Sequence, residues 1–234
     1  MRVGIMQPYF LPYVGYFQLI NHCDQFVIYD DIEFTKRGWI NRNRILANGE
    51  PRTITLPVRK DSDFLDIRER EISNDFNPAK MLNLLRESYR RAPFWEANEQ
   101  RLGEILEFAD RNLFAFLSNS LTQVCASLEI DTPLVVSSTL GVDNSLRGSD
   151  RVIATCEALG ATEYVNPIGG VELYSPENFA EHGLELSFLR SGLSPYPQLG
   201  GDFVEGLSIV DALVFLDSAD LTERLSSDFE LTAA

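Results

Sequence analysis

Apolar residues form short runs at both ends of the chain and recur at helical spacing through its middle. Residues 1 to 6 read as a strand, Phe17, Leu19 and Ile20 as the start of a helix after an aromatic turn, and Phe26 to Tyr29 as the next strand. Trp39 to Ala47 and Arg52 to Val58 flank Asn48-Gly49, a dipeptide that accepts positive φ and so predicts a hairpin. From Asn77 to Leu128 the apolar positions (Met81, Leu84 and Leu85; Leu102, Ile105 and Leu106; Leu113, Phe116, Leu117, Leu121 and Val124) predict helices broken at Ala92-Pro93. Leu134 to Ser138 reads as a strand, Ser149 to Leu159 as a helix closed by Gly160, and Thr162 to Asn166 and Leu184 to Leu189 as further strands. Ser208 to Leu216 fits helix or strand, and about the last ten residues read as a tail.

Strand and helix alternate at both ends around a helical centre. This predicts an α/β fold: a mainly parallel sheet with helices on both faces, a β-hairpin excursion and an all-helical central insert. The division is an N-terminal half over 1–75, an insert over 76–130 and a C-terminal half over 131–234, in one compact unit. Ligands in such sheets bind beyond the carboxyl ends of the strands. Three clusters fall there: the turn Gln7 to Tyr16, the pair Asp30-Asp31, and Asn166 to Gly170.

Composition narrows the functional classes. The 234 residues are 44% hydrophobic, enough for a core without metal or disulfide support. No stretch is apolar enough to span a membrane and no leader pattern follows Met1, so a soluble, cytoplasmic protein is expected. Cys23, Cys125 and Cys156 are three in number and far apart, which predicts reduced, buried thiols. A net charge of −15 opposes attraction to phosphate backbones and argues against a nucleic-acid partner. One local reversal exists: KRGWINRNR, residues 36 to 44, holds four basic residues and no acid.

Each cluster carries a candidate chemistry. Gly15 permits close backbone approach, and the helix after the turn offers free N–H groups to an anion. Asp30 and Asp31 should point to opposite faces; they could serve as proton acceptors or pair with Lys36 or Arg37. Arg42 and Arg44 share one strand face, with Asn41 and Asn43 on the other; guanidinium forks suit phosphate, and Trp39 suits a planar or sugar ring. Gly169 and Gly170, beside Asn166, Glu172 and Tyr174, could present backbone N–H groups. Arg147 and Arg151 could add anion contacts near a helix start. His22 and Cys23 are adjacent, about 100° apart on a helix, and read as packing residues rather than a catalytic pair. No zinc spacing, Walker-type loop or hydrolase elbow is present, and no metal site is expected.

The blocks MQPYFLPYVGYFQLI (6 to 20), DQFVIYDDIEFTKRGWINRNRI (24 to 45), TLPVRK (55 to 60), LGATEYVNPIGGVELY (159 to 174) and LSIVDALVF (207 to 215) resemble the WbqC-like family over nearly the whole chain. The resemblance implies a transferase of surface-polysaccharide (O-antigen) or amino-sugar modification, moving an aminoacyl (glycyl) or acyl group onto the amine of a nucleotide-linked sugar. The implied partners are that sugar and an acyl or peptidyl carrier protein with a phosphopantetheine-bound donor. Arg37, Arg42 and Arg44, with Lys36, would then hold phosphates, Trp39 a ring, Asp30 or Asp31 the amine proton, and Gly169-Gly170 an oxyanion, with Gln7, Asn41, Asn166 and Glu172 lining the site. The opening also resembles nucleotidylyltransferases and pantothenate synthetases, whose HxGH motif corresponds to Tyr13, Val14, Gly15 and Tyr16. That likeness implies an ATP-dependent ligase as an alternative, with Tyr16 as a hydrogen-bonding or proton-passing group. A non-catalytic sugar-nucleotide or carrier-binding protein is the third reading.

Overall fold

The computed structural model describes residues 1–233. Six strands form one sheet in the order β5 (Leu134–Val136), β2 (Gln25–Ile28), β1 (Arg2–Met6), β6 (Glu163–Pro167), β7 (Glu185–Ser191) and β8 (Phe229–Ala233). All neighbours are parallel except β7 and β8. The chain runs outward from β1 through β2 to β5, then returns to the other side of β1 as β6. The strand order therefore reverses between β1 and β6, the switch point at which such sheets open a crevice.

Alternation along the strands sorts the two faces. Val3, Ile5 and Val27 meet Val152, Ile153 and Cys156 of α5 (Gly148–Leu159) and Phe179 of α6 (Pro176–Glu181). Phe26, Ile28, Val165 and Leu189 belong to the opposite, larger core with α1 (Val14–His22). Each such side chain, fully buried, contributes about 1.5–3 kcal/mol. Gly4 of β1 must lack a side chain because a Cβ there would sit 2.9 Å from Cys23 Sγ and 3.0 Å from the Phe26 ring. Helices thus cover both faces, as the alternating pattern predicts.

The excursion after β2 is a separate two-stranded hairpin of β3 (Arg42–Ala47) and β4 (Glu50–Thr55). Asn48 (φ 55°) and Gly49 (φ 79°) are both left-handed, which matches the twist of a two-residue hairpin. Residues 39–41, expected as strand, form the turn that precedes it. The helical centre comprises α2 (Pro78–Tyr89), α3 (Trp95–Leu106) and α4 (Leu113–Ser127). Asn77 caps α2 through Lys80 N–H and Asn112 caps α4 through Ala115 N–H, at 2.9 and 3.0 Å.

The ambiguous run near the end is a helix, α7 (Ile209–Phe215), capped by Ser208. The expected tail is instead the end of α8 (Ser218–Ser227) followed by β8, an edge strand paired antiparallel to β7. Its burial is slight, which hides it from a hydrophobic pattern. The three cysteines are buried free thiols, each pushed up to about 12 by burial. Among the described residues no helix is long and apolar enough to cross a membrane.

Candidate functional site

A cavity of about 720 Å³ opens at the switch point, within the range of small-molecule sites. Gln7 from the end of β1 and Asn166, Gly169 and Gly170 from the end of β6 form its floor, and Tyr9, Tyr13 and Tyr29 its aromatic side. Trp39, from the turn before the hairpin, and Asn43 and Arg44, from β3, also line it. The aromatic turn, the basic segment and the double-glycine turn therefore meet around one space.

The hairpin is fastened over the turn by backbone recognition. Asn43 is buried and its Nδ2 donates to the carbonyls of Phe10 (3.1 Å) and Leu11 (2.7 Å). The Phe10 N–H donates to Ile40 at 3.0 Å. With that anchor, Arg42 and Arg44 project on one face, their guanidinium carbons 5.9 and 5.7 Å from the Trp39 ring centre. Arg42 spends its Nε on Gly38 O (2.8 Å) and an amino group on Arg37 O. Arg44 gives Nη2 to Gly206 O at 3.1 Å, while its Nε has no partner. Arg44 is thus the cation lining the cavity, and Trp39, 44% exposed, stands at its edge.

Other residues of the basic segment lie elsewhere. Lys36 is ion-paired with Asp63 and Arg37 is exposed. Asn41 donates to Leu56 O at 2.9 Å; it precedes β3, so the expected shared face with Asn43 does not form.

The turn contributes walls rather than a phosphate loop. Tyr16 is 1% exposed, packed on Tyr9, Phe17 and Phe26, and donates its hydroxyl to Gln7 O at 2.9 Å. Burial raises its pKa well above that of a free phenol. Those contacts leave it no access to the cavity, so Tyr16 is a packing residue. A Cβ on Gly15 would drive into the Tyr13 ring and lie 2.8 Å from Ser191 Cβ, so this glycine is required by packing rather than by a ligand. Burial raises the phenols of Tyr9 and Tyr13 and pushes Tyr29 to about 12, making them hydrogen-bond donors rather than bases at neutral pH.

Asp30 and Asp31 are 4% and 5% exposed and fully engaged. β2 ends at Ile28, so strand alternation no longer separates them, and Ser137 Oγ sits between both carboxylates. Asp30 also accepts from Ser138 N–H (2.9 Å) and Ser138 Oγ (2.7 Å). Asp31 pairs with Arg151 Nη2 at 2.6 Å, not with Lys36 or Arg37. Neither carboxylate lines the switch-point cavity.

At the end of β6, Asn166 Oδ1 accepts from Tyr164 O–H at 2.9 Å, and its Nδ2 occupies the space above Gly170 that a side chain would need. Nothing lies within 4 Å of a Cβ placed on Gly169, which borders the cavity. Glu172 is exposed and outside it. Sequence reasoning did not single out Tyr9, Tyr29, Ile32 and Gly206 as lining residues. Tyr9 lies within the turn Gln7 to Tyr16 and Tyr29 and Ile32 flank Asp30-Asp31, whereas nothing in the sequence marks Gly206.

The fold and site define a doubly wound α/β protein with an aromatic, singly cationic cavity at its switch point. The chain belongs to the WbqC-like protein family, which it matches over residues 7–223. It is 32% identical over 215 residues to the uncharacterized protein Rv1507c of Mycobacterium tuberculosis, covering 91% of this chain and 92% of that one. No solved structure matches the chain.

Proposed function

We propose that the chain is a transferase of surface-polysaccharide or amino-sugar modification whose switch-point cavity holds a nucleotide-linked amino sugar. The observation that carries this reading is the convergence of Arg44, Trp39 and the open Gly169 corner on one cavity of about 720 Å³. A diphosphate suits the unspent edge of Arg44, a ring suits the tyrosine wall, and the Gly169 backbone can approach a carbonyl oxygen. Asp30 and Asp31 are not its bases, because both are occupied. Acyl transfer here works by holding the sugar amine against an activated acyl donor such as a thioester. The amine nitrogen bonds to the acyl carbon, the carbon–sulfur bond breaks, and the amine proton leaves with the thiolate as thiol.

One feature favours a second reading, a non-catalytic carrier of the sugar nucleotide: among the described residues, no carboxylate, histidine, cysteine or lysine lines the cavity. The ATP-using alternative gains no such support, since Gly15 is closed by Tyr13 and Tyr16 is bonded to Gln7. The test mixes the full chain with a nucleoside-diphosphate amino sugar and an aminoacyl thioester, reading product by mass and binding by calorimetry. The expected product is the aminoacylated sugar, with affinity lowered at least about tenfold by Arg44→Ala. Binding without turnover selects the carrier reading, and absence of binding overturns both.

A further inference from the structure

A second chamber, of about 480 Å³, adjoins the switch-point cavity, and Tyr13, Arg44 and Gly206 line both. Much of its lining comes from the segment that follows β7 and leads into α7. That segment is pinned. Gln198 holds the backbone of Val204 twice, its Oε1 accepting from the N–H at 2.8 Å and its Nε2 donating to the carbonyl at 3.1 Å. The same Nε2 and the Tyr196 hydroxyl donate to the buried Asp211 at 2.6 and 2.7 Å. Gly200 lies so close to the hairpin turn that a Cβ on it would come within 2.8 Å of Gly49 Cα, and Gly206 O accepts from Arg44. The chamber is therefore built before any occupant arrives, and filling it costs little loop ordering.

Its lining differs in chemistry from the tyrosine-rich cavity beside it. Val14, Leu193, Pro195, Phe203, Val204 and Leu207 give it apolar walls. Among the described residues its charged members are two, Arg44 where the two spaces meet and the exposed Glu205. An anionic occupant would find the first and meet the second; a cationic one would do the reverse. An uncharged apolar chain opposes neither, gains from leaving water, and can turn a carbonyl at its head toward Arg44.

We propose that this chamber binds the apolar acyl group of an acyl thioester larger than glycyl, with the thioester carbonyl at Arg44. The assignment rests on the transferase reading only in naming that thioester the donor. The bonds made and broken are those already given for the transfer, and the carbonyl position places them where the two spaces meet.

The test is calorimetric titration of the full chain with uncharged S-acyl-N-acetylcysteamine thioesters, from acetyl to octanoyl. Affinity should rise about three- to fourfold with each added methylene until the chamber is full, as burial of a CH₂ group predicts. Val204→Glu sets a charge in the apolar wall of this chamber and not of the other, and should weaken octanoyl binding at least about tenfold. The proposal is overturned if no thioester binds, if affinity is flat along the series, or if the variant binds octanoyl like the native chain. The series needs no variant, so a misfolded Val204→Glu protein leaves the proposal open to refutation. Nucleotide sugars report on the other cavity: chain-length dependence without sugar binding sinks the transferase reading and keeps this one, and the converse sinks this one alone.

Discussion

Arg151 and Arg44 each bury an Nε that finds no partner, yet their charges stand in opposite conditions. Arg151 is sealed, with 7% of its side chain exposed, against a carboxylate that is itself 2% exposed. Arg44 is half-buried and has a backbone carbonyl and the Trp39 ring for company. One cation is neutralised and serves the fold; the other keeps a net charge that a ligand can answer. A buried ion pair repays its desolvation only while both members are present. A guanidinium bonded to a carbonyl has lost little of its attraction for an anion.

The largest effect should come from breaking the sealed pair. Asp31→Ala leaves Arg151 uncompensated and should cost roughly 3–5 kcal/mol in urea denaturation; a loss below about 1 kcal/mol would show that water already screens the pair. Replacing both by Leu and Met should recover most of the loss. Next, Gly206→Ala places a methyl 3.1 Å from Arg44 Nη2 at a φ of 66°. It should cost about 1–2 kcal/mol for the left-handed backbone and also weaken nucleotide-sugar binding, which separates it from a purely structural defect.

A third buried charge sharpens the contrast. Asp211 is 0% exposed, has no cation partner, and accepts Tyr196 O–H (2.7 Å) and Gln198 Nε2 (2.6 Å) on one oxygen while the other has none. Burial raises its pKa above the ordinary carboxylate value, against the lowering effect of those donors. The folded state therefore holds the proton more tightly than the unfolded state. The group's stabilising contribution is present below the ordinary value and is lost as pH rises through the raised one. Urea midpoints across acid pH should show this decline in the native chain and not in Asp211→Asn; parallel profiles would rule it out. The smallest change in stability, about 1 kcal/mol, is expected for Arg44→Ala, which loses a partly exposed cation–π contact and the hydrogen bond to Gly206 O. Its effect belongs in ligand affinity, and a large drop in melting temperature would show that Arg44 too is structural.

Much of the fold was legible because it is written locally. Asn48-Gly49 marks the hairpin, the spacing of Leu102, Ile105 and Leu106 marks a helix, and alternating strands and helices mark the parallel sheet. The gathering of three loops followed from that topology, since all leave the same sheet edge. What could not be read was the direction and partner of individual polar groups. Nothing near Asp31 in sequence points to Arg151, and Lys36 and Arg37 are closer along the chain but not in space. Tyr16 looked like a site residue because its neighbours are turn-like, whereas its helical position points it into the core. β8 escaped notice because an edge strand with four exposed residues in five has no apolar signature.

That last strand also covers an edge of the sheet. Residues 229–233 occupy the outer hydrogen-bonding row of β7 from Ser187 to Ser191. Trimming them would bare that row in a segment containing Phe188 and Leu189, a template onto which another chain can lay its own strand. A shortened protein should then scatter light increasingly with concentration, while a charged extension beyond the strand should not.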